Sequence, residues 1–219
     1  MTPAPCVKKT PVLYGYWRSG AAYRARIGLE LKGLAYEHRA IDLRSGQQHQ
    51  PDFTAMNPQG LVPALEIDGQ VLSQSLAILE YLEETHPEPP LLPQTPGARA
   101  QARAMAEIIA CDIHPLNNLR VLKALTRLEL DEPRRNAWAA GWIETGFAAL
   151  EQLIARHGRG WAFGEHPGIV ECCLIPQIYS AGRFGADLTR FPRIREIDAR
   201  AAEHPAFQAA HPNRQPDAD

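Results

Sequence analysis

The chain has 219 residues, of which 45% are hydrophobic and 22% are charged, and its formal net charge is −2. These values are typical of a globular protein with a buried core, and they give no electrostatic reason to bind nucleic acid or anionic lipid. The sequence has neither an apolar run of membrane-spanning length nor the apolar segment of a secretory signal. We therefore expect a soluble cytoplasmic protein that acts on a small ligand.

The four cysteines show neither a redox nor a metal-binding spacing. Cys6, Cys111, Cys172 and Cys173 form no C-x-x-C pair, which favours a reducing compartment without a disulfide framework. We expect them to be small buried hydrophobic residues, and the sequence predicts no metal site.

Up to about residue 86, short apolar runs alternate with helical patterns, as in an α/β domain. Gly33 stands where a helix C-cap glycine is expected, Asp68-Gly69 is typical of a hairpin turn, and Ser75 is expected to cap a helix. The predicted order is β-α-β-α-β-β-α. We predict strands at 12–16, 36–41, 63–67 and 70–72, and helices at 21–32 and 75–85.

The next segment, HPEPPLLPQTPG, contains five prolines and predicts a stiff linker over residues 87–97. Long helical patterns then dominate, so the second domain, 98–212, is predicted to be all-α. We expect helices at 98–128, 132–157, 169–184 and 192–202, and a polar tail at 213–219 that frays. In the third of these helices, Glu171 is expected to reach back to the Gly168 N–H as half of a capping box.

Two predicted helix starts in the first domain suit a bound anion. Ser19 lies between a strand and a helix, where free N–H groups and the helix dipole favour negative charge and its hydroxyl can donate a proton to a thiolate. The alternative is that Ser19 only caps the helix. Gln74 and Ser75 stand at the second helix start. Pro63, at the start of a strand, is a position where a cis peptide would turn the Val62 backbone toward a ligand.

In the helical half, the stretch CDIHPLNNLR places polar groups in what should be an apolar stripe. On one helix His114 and Asn118 share a face, and Pro115 should bend that helix, as in helices that line a cleft. The alternative is a buried His–Asn pair whose members satisfy each other. Arg120 points away from the stripe, so the spacing gives it no site role.

The whole chain, from VLYGYWRSG through NPQGLVPALEIDG, QSLAILEYLEE and CDIHPLNN to RFGADLTRFP and HPNRQPD, resembles the zeta class of glutathione transferases. This class includes maleylacetoacetate isomerases and bacterial maleylpyruvate isomerases. The resemblance implies a thioredoxin-like N-terminal domain, an all-helical C-terminal domain, a cytosolic homodimer and glutathione as cofactor. It also implies cis–trans isomerisation of a small dicarboxylate keto acid, in which a glutathione thiolate adds to the double bond and later leaves.

The resemblance also assigns residues. Ser19 corresponds to the active-site serine and Pro63 to the cis-proline of the family. The glutathione contacts fall on Gln48, Val62, Gln74 and Ser75. The groups that meet substrate and glutathione carboxylates in the maleylpyruvate branch fall on Arg18, His114, Asn118, Arg120 and Arg183.

Many zeta enzymes read S-S-C-S where this chain has Ser19, Gly20, Ala21 and Ala22. The missing cysteine, with WRSG and CDIHPLNN, favours the maleylpyruvate branch over a strict maleylacetoacetate isomerase. Two further hypotheses stay open: a glutathione transferase that conjugates or dehalogenates small halo-acids, and a glutathione-binding module without turnover.

Overall fold

The structure is a computed structural model that describes residues 9–219, so Cys6 lies outside the described part of the chain. Its first half is a four-stranded sheet of order β2-β1-β3-β4, in which β1 and β2 are parallel and the other neighbours antiparallel. The strands are β1 (Val12–Gly15), β2 (Glu37–Ala40), β3 (Ala64–Ile67) and β4 (Gln70–Ser73). The helices of this half are α1 (Gly20–Leu31), α2 (Pro51–Met56) and α3 (Ser75–Thr85).

The predicted order of elements in this half is confirmed, because strands and helices follow one another as β-α-β-α-β-β-α. Gly33 has a φ of 64° after the C-terminus of α1, and the Val62–Pro63 peptide is cis. The cap of α3 was predicted wrongly. Gln74 is its N-cap with a φ of 67°, and Ser75 is the first helical residue.

The second half is helical throughout. Its helices are α4 (Pro96–Glu107), α5 (Leu119–Arg127), α6 (Glu132–His157), α7 (Ile169–Phe184), α8 (Pro192–Glu203) and α9 (Pro205–Ala210). The last of these was not predicted from the sequence. Glu171 accepts a hydrogen bond from the Gly168 N–H at 2.8 Å, as expected at the start of α7.

The single helix predicted over residues 98–128 is wrong. After α4 the chain winds through a π turn at Ile108–Ile113 and a 3-10 turn at His114–Asn117 before α5 begins. Pro115 has no N–H to continue an α-helix, and the Asn118 side chain caps α5 by accepting from the Arg120 N–H at 3.1 Å. The sequence predicted a bend in one helix at Pro115, whereas the structure has two separate helices joined by these turns.

The proline-rich linker is anchored to both domains. Leu91 and Leu92 are buried, and their N–H groups donate to Glu83 at 2.7 and 3.3 Å. Lys32 from α1 donates both to Glu83 at 2.8 Å and to the Pro89 carbonyl at 2.7 Å. The buried Lys32–Glu83 pair therefore holds the linker on the sheet domain, and the Ile169 N–H, which donates to the Leu91 carbonyl at 2.8 Å, ties the linker to the helical domain.

Two other expectations need correction. Cys172 and Cys173 are buried in α7 as predicted, but Cys111 is exposed in the π turn. The tail does not fray: Gln215 is buried, and Asp217 accepts a hydrogen bond from the Trp17 N–H at 2.9 Å. Buried contacts outweigh the polar composition from which fraying was expected.

Candidate active site

A cleft of about 320 Å³ lies between the two domains. It brings together eight of the ten residues that the sequence proposes for the site. These are Ser19, Gln48, Val62, Gln74, Ser75, His114, Asn118 and Arg120. Arg18 and Arg183 are not among its lining residues. The elements that converge here are the N-terminal ends of α1 and α3, the loop before β3, and the turn between α4 and α5.

The position of Ser19 is compatible with both roles that the sequence left as alternatives. It is the N-cap of α1, where its hydroxyl oxygen accepts from the Ala22 N–H at 3.3 Å, and it also lines the cleft. A hydroxyl has two lone pairs and one proton, so a group that accepts in the cap can still donate to an anion. The cap therefore orients the hydroxyl without consuming its proton.

His114 lies against the first residue of α1. A β-carbon on Gly20 would come within 3.1 Å of His114 Cε1 and 3.3 Å of His114 Nδ1. Burial, with smaller contributions from the positive charges of Arg24 and Arg120, lowers the pKa of His114 to about 3. His114 is therefore neutral near pH 7 and offers one N–H donor and one nitrogen acceptor.

His114 and Asn118 do not form the mutually satisfied pair that was the alternative hypothesis. The Asn118 side-chain oxygen is engaged by the Arg120 N–H, as the cap of α5. Both residues nevertheless line the same cleft, because the break in the helix brings the 3-10 turn and the start of α5 to one wall. The same cap places Arg120 in the first turn of α5, where its side chain is exposed at this wall.

Arg24 is a cleft residue that the sequence reasoning missed. It is only 3% exposed, yet it lines the cleft, and its Nη1 lies 3.4 Å from the Ser75 hydroxyl. Burial lowers the pKa of Arg24 because the charged guanidinium is taken out of water. The signal was present: an arginine stands five positions after Ser19 on an otherwise apolar helix face, where a buried charge needs a partner.

The opposite wall carries amide groups. Gln48, from a short 3-10 turn, is buried, and its side-chain oxygen has no partner among the described residues. Gln74 holds a positive φ of 67° and donates from its side chain to Gln59 at 2.7 Å. A non-glycine residue in this conformation is strained, and such strain is concentrated at ligand sites. Val62 precedes the cis peptide and lies outside the β3 ladder.

Arg18 and Arg183 form a separate pair beside the cleft. Desolvation lowers the pKa of Arg183, and the positive charge of nearby Arg18 acts in the same direction. The Arg18 guanidinium lies 5.2 Å from the centre of the Trp17 ring. Arg183 lines a larger cavity of about 770 Å³ formed by α1, α7, α8 and α9.

The positive charges around Ser19 have no acidic partners. Among the ion pairs of residues 9–219, none involves Arg18, Arg24, Arg120 or Arg183. The guanidinium groups of Arg24 and Arg120, together with the N-termini of α1 and α3, make the cleft attractive to anions, and Arg18 adds positive charge next to Ser19. The described residues contain no cluster of three or more groups suited to a metal ion. None of the helices in the same range is both long and apolar enough to cross a membrane.

The fold and the cleft define a class of protein: a thioredoxin-like domain followed by an all-helical domain, with a cleft lined by arginines between them. The glutathione S-transferase N-terminal domain family matches residues 13–90. The maleylacetoacetate isomerase of Pseudomonas aeruginosa is 50% identical over 208 residues, which are 94% of this chain and 97% of the relative.

Solved structures agree with this assignment. The holo structure of a maleylpyruvate isomerase, a bacterial zeta-class glutathione S-transferase, superposes with a TM-score of 0.93 at 46% identity, covering 95% of this chain and all of the other. The maleylacetoacetate isomerase of Anaeromyxobacter dehalogenans, solved with dicarboxyethyl glutathione and citrate in its active site, gives a TM-score of 0.86 at 46% identity, covering 96% and 98%. The chain therefore belongs to the zeta class of the glutathione S-transferase family.

Proposed function

We propose that this protein is a glutathione-dependent cis–trans isomerase of maleylacetoacetate or maleylpyruvate. The observation that carries the proposal is the arrangement around Ser19, where a capped serine at a helix N-terminus shares its cleft with Arg24 and Arg120, and neither guanidinium has an acidic partner among the described residues. Both the cofactor and a keto acid with two carboxylates are anions, so their binding would neutralise these charges.

The cleft residues fit glutathione, which has two carboxylates, an ammonium group, amides and a thiol. Arg24 and the Ser75 hydroxyl at the start of α3 suit a carboxylate, since a buried guanidinium without an acidic partner gains most from one. The unpartnered oxygen of Gln48 suits an N–H donor of the ligand. Val62, Gln74 and Asn118 complete the walls around it.

When bound, glutathione supplies a thiol that adds reversibly to the substrate double bond and so allows rotation about it. The Ser19 hydroxyl would donate a hydrogen bond to the sulfur, and the N–H groups at the start of α1 would add their dipole, so the thiol would ionise below its usual pKa of roughly 8.5. Gly20 leaves room for His114 beside this helix start.

The remaining groups hold the substrate. Arg18, Arg120 and Arg183 present fixed positive charge and forked donors to carboxylates and to negative charge that develops on the keto oxygen. His114 is neutral and therefore orients a carboxylate through its N–H rather than by charge. Arg18 and Arg183 adjoin the cleft instead of lining it, which suits the far carboxylate of an extended diacid.

Turnover of maleylacetoacetate and maleylpyruvate, followed with and without added glutathione, tests the proposal. We expect isomerisation that depends on glutathione and leaves its concentration unchanged. Conjugation or dehalogenation of small halo-acids without isomerisation would favour the transferase alternative. Glutathione binding without any of these reactions would favour a binding module.

We also propose that the protein is a cytoplasmic homodimer. The free thiols of Cys111, Cys172 and Cys173 support a reducing compartment, and the family resemblance supports the dimer. Light scattering coupled to size exclusion would test the assembly, since a mass near 24.3 kDa, that of one chain, contradicts it.

A further inference from the structure

The last residues of the chain pack against the turn that carries Ser19. Asp217 Oδ2 accepts from the Trp17 backbone N–H at 2.9 Å across 200 positions of sequence. Its Oδ1 lies 3.1 Å from His38 Nε2. Ala218 packs on the cluster formed by Tyr16, Trp17 and their apolar neighbours. The tail is therefore docked on the sheet domain by both polar and apolar contacts.

The backbone carbonyl of Trp17 is held by a buried arginine. Arg26 of α1 is fully buried, and its Nη2 donates to the Trp17 carbonyl at 2.8 Å. Its Nε donates to the Ala210 carbonyl, at the end of α9, at 2.9 Å. Both backbone polar groups of Trp17 are thus fixed by side chains, one from α1 and one from the tail.

Trp17 is only two residues before Ser19. The Ser19 N–H donates to the Tyr16 carbonyl at 2.9 Å, so residues 16–19 form one tight turn. A shift of the Trp17 peptide would therefore move both Arg18 and the Ser19 hydroxyl. Misplacement of about 1 Å at a reacting centre can reduce a rate by about a hundred-fold.

We propose that the tail, residues 213–219, is a strap that positions the Ser19 turn, with Asp217 as the positioning residue. This inference rests on the proposed function, because it assigns the strap a role in orienting the groups that hold the thiol and the substrate. Asp217 does not line the cleft, so it acts through the Trp17 peptide and not by contact with a ligand. A carboxylate suits this role because a charged acceptor makes a stronger hydrogen bond than a neutral one.

The test compares Asp217→Ala, Asp217→Asn and Glu203→Ala. Asp217→Ala removes the acceptor, and we expect its kcat to fall by about ten- to a hundred-fold while the Kd for glutathione changes little. Asp217→Asn keeps an acceptor oxygen and should restore most of the rate. Glu203→Ala removes an equal charge from an exposed side chain at the end of α8, outside both the strap and the cleft, and it should behave like the parent.

A double-mutant cycle with Ser19→Ala separates positioning from general destabilisation. If Asp217 acts through the Ser19 turn, Asp217→Ala should cost much less in a Ser19→Ala background than in the parent. An equal loss in both backgrounds, or a parent-like Asp217→Ala, would overturn the proposal. If Asp217→Ala does not fold, Asp217→Glu replaces it in the cycle, since it keeps the charge but displaces the carboxylate by one methylene.

A second readout stands apart from turnover. The ultraviolet absorbance of bound glutathione thiolate, titrated with pH, should show a higher pKa in Asp217→Ala than in the parent and in Asp217→Asn. Should the parent bind glutathione but isomerise neither keto acid, the proposed function fails while this titration still decides on the strap. Identical titrations in all three proteins contradict it.

Discussion

The His114 ring lies against the Gly20 backbone, so close that a β-carbon there would stand 3.1 Å from His114 Cε1. Gly20 begins α1 and His114 begins the 3-10 turn that interrupts the helical domain. This contact therefore joins the two domains at the position where the thiolate of glutathione is expected. Desolvation of the imidazole in this contact lowers the His114 pKa, so the ring stays neutral well below pH 7.

The neutrality of His114 predicts a pH dependence of stability. Its pKa falls from 6.5 to about 3 on folding, so between these values the unfolded chain binds more protons. The stabilisation is complete above about pH 6.5 and is lost as the pH falls toward 3. In urea titrations at pH 7.5 and pH 5, the parent should lose more free energy of unfolding than His114→Asn. Equal losses in the two proteins would show that His114 is not buried as a neutral ring.

The Gly20 contact predicts a graded response to side-chain size. Gly20→Ser introduces the residue that many zeta enzymes carry, and the His114 ring needs to move only a few tenths of an ångström. Gly20→Val adds a branched side chain at the same point and should displace the ring. We expect near-parent turnover for the serine variant and a loss of about ten-fold or more for the valine variant. If both retain parent turnover, the position of His114 does not matter for the reaction.

Local patterns identified most of the fold and of the site. The strands, α6 and α7 follow from period and capping, and Ser19, Ser75 and His114 converge because each ends or begins an element that faces the cleft. The break near Pro115 was underestimated, since whether a helix bends or ends depends on tertiary packing and on the Asn118 cap. The docked tail could not be predicted, because contacts across 200 positions leave no periodic signal, whereas Arg24 does interrupt an apolar helix face and could have been found.

Arg24 should strengthen glutathione binding but lower the stability of the ligand-free protein. A buried guanidinium without an acidic partner is costly, and an apolar residue of similar volume should remove that cost. We expect Arg24→Met to raise the unfolding free energy of the ligand-free protein by about 1 to 4 kcal/mol. The same change should weaken glutathione binding by about 1.5 to 3 kcal/mol.

Thermal unfolding and calorimetric titration check the two halves of this prediction. Arg120→Met is the matched control, because Arg120 lines the same cleft but is exposed and should change stability little. Lower stability together with unchanged affinity in Arg24→Met would place that residue in the core instead of the site.

Arg18 and Arg183 are expected to act on the substrate more than on glutathione. Both lie beside the cleft, and each lacks a carboxylate partner among the described residues. Arg18→Ala and Arg183→Ala should each lower kcat/KM for the keto acid by an amount that corresponds to about 1.5 to 3 kcal/mol of transition-state stabilisation. The Kd for glutathione should stay almost unchanged. Arg195→Ala, which removes an exposed arginine of α8 that lines neither cavity, serves as the control. Equal losses in both constants would remove these arginines from the substrate site.

Ser19 provides the most direct test of the chemistry, because its hydroxyl both caps α1 and faces the cleft. Ser19→Ala should slow isomerisation at neutral pH by about ten- to a thousand-fold, as expected for loss of one preorganised donor. It should also raise the pKa of the bound thiol and lower stability by about 0.5 to 2 kcal/mol through loss of the cap. Ser19→Thr keeps the hydroxyl and should restore all three quantities in part.

Ala21→Cys introduces the cysteine that many zeta enzymes carry at this position and so tests whether it matters as much as the Ser19 hydroxyl. A thiol is a weak donor, so this variant should change the rate and the thiol titration less than Ser19→Ala does. The measurement is the pH dependence of thiolate absorbance in the parent and the three variants with glutathione bound. If Ser19→Ala loses stability but keeps the parent's titration and rate, Ser19 is a helix cap alone. The N–H groups at the start of α1 would then have to hold the anion without it.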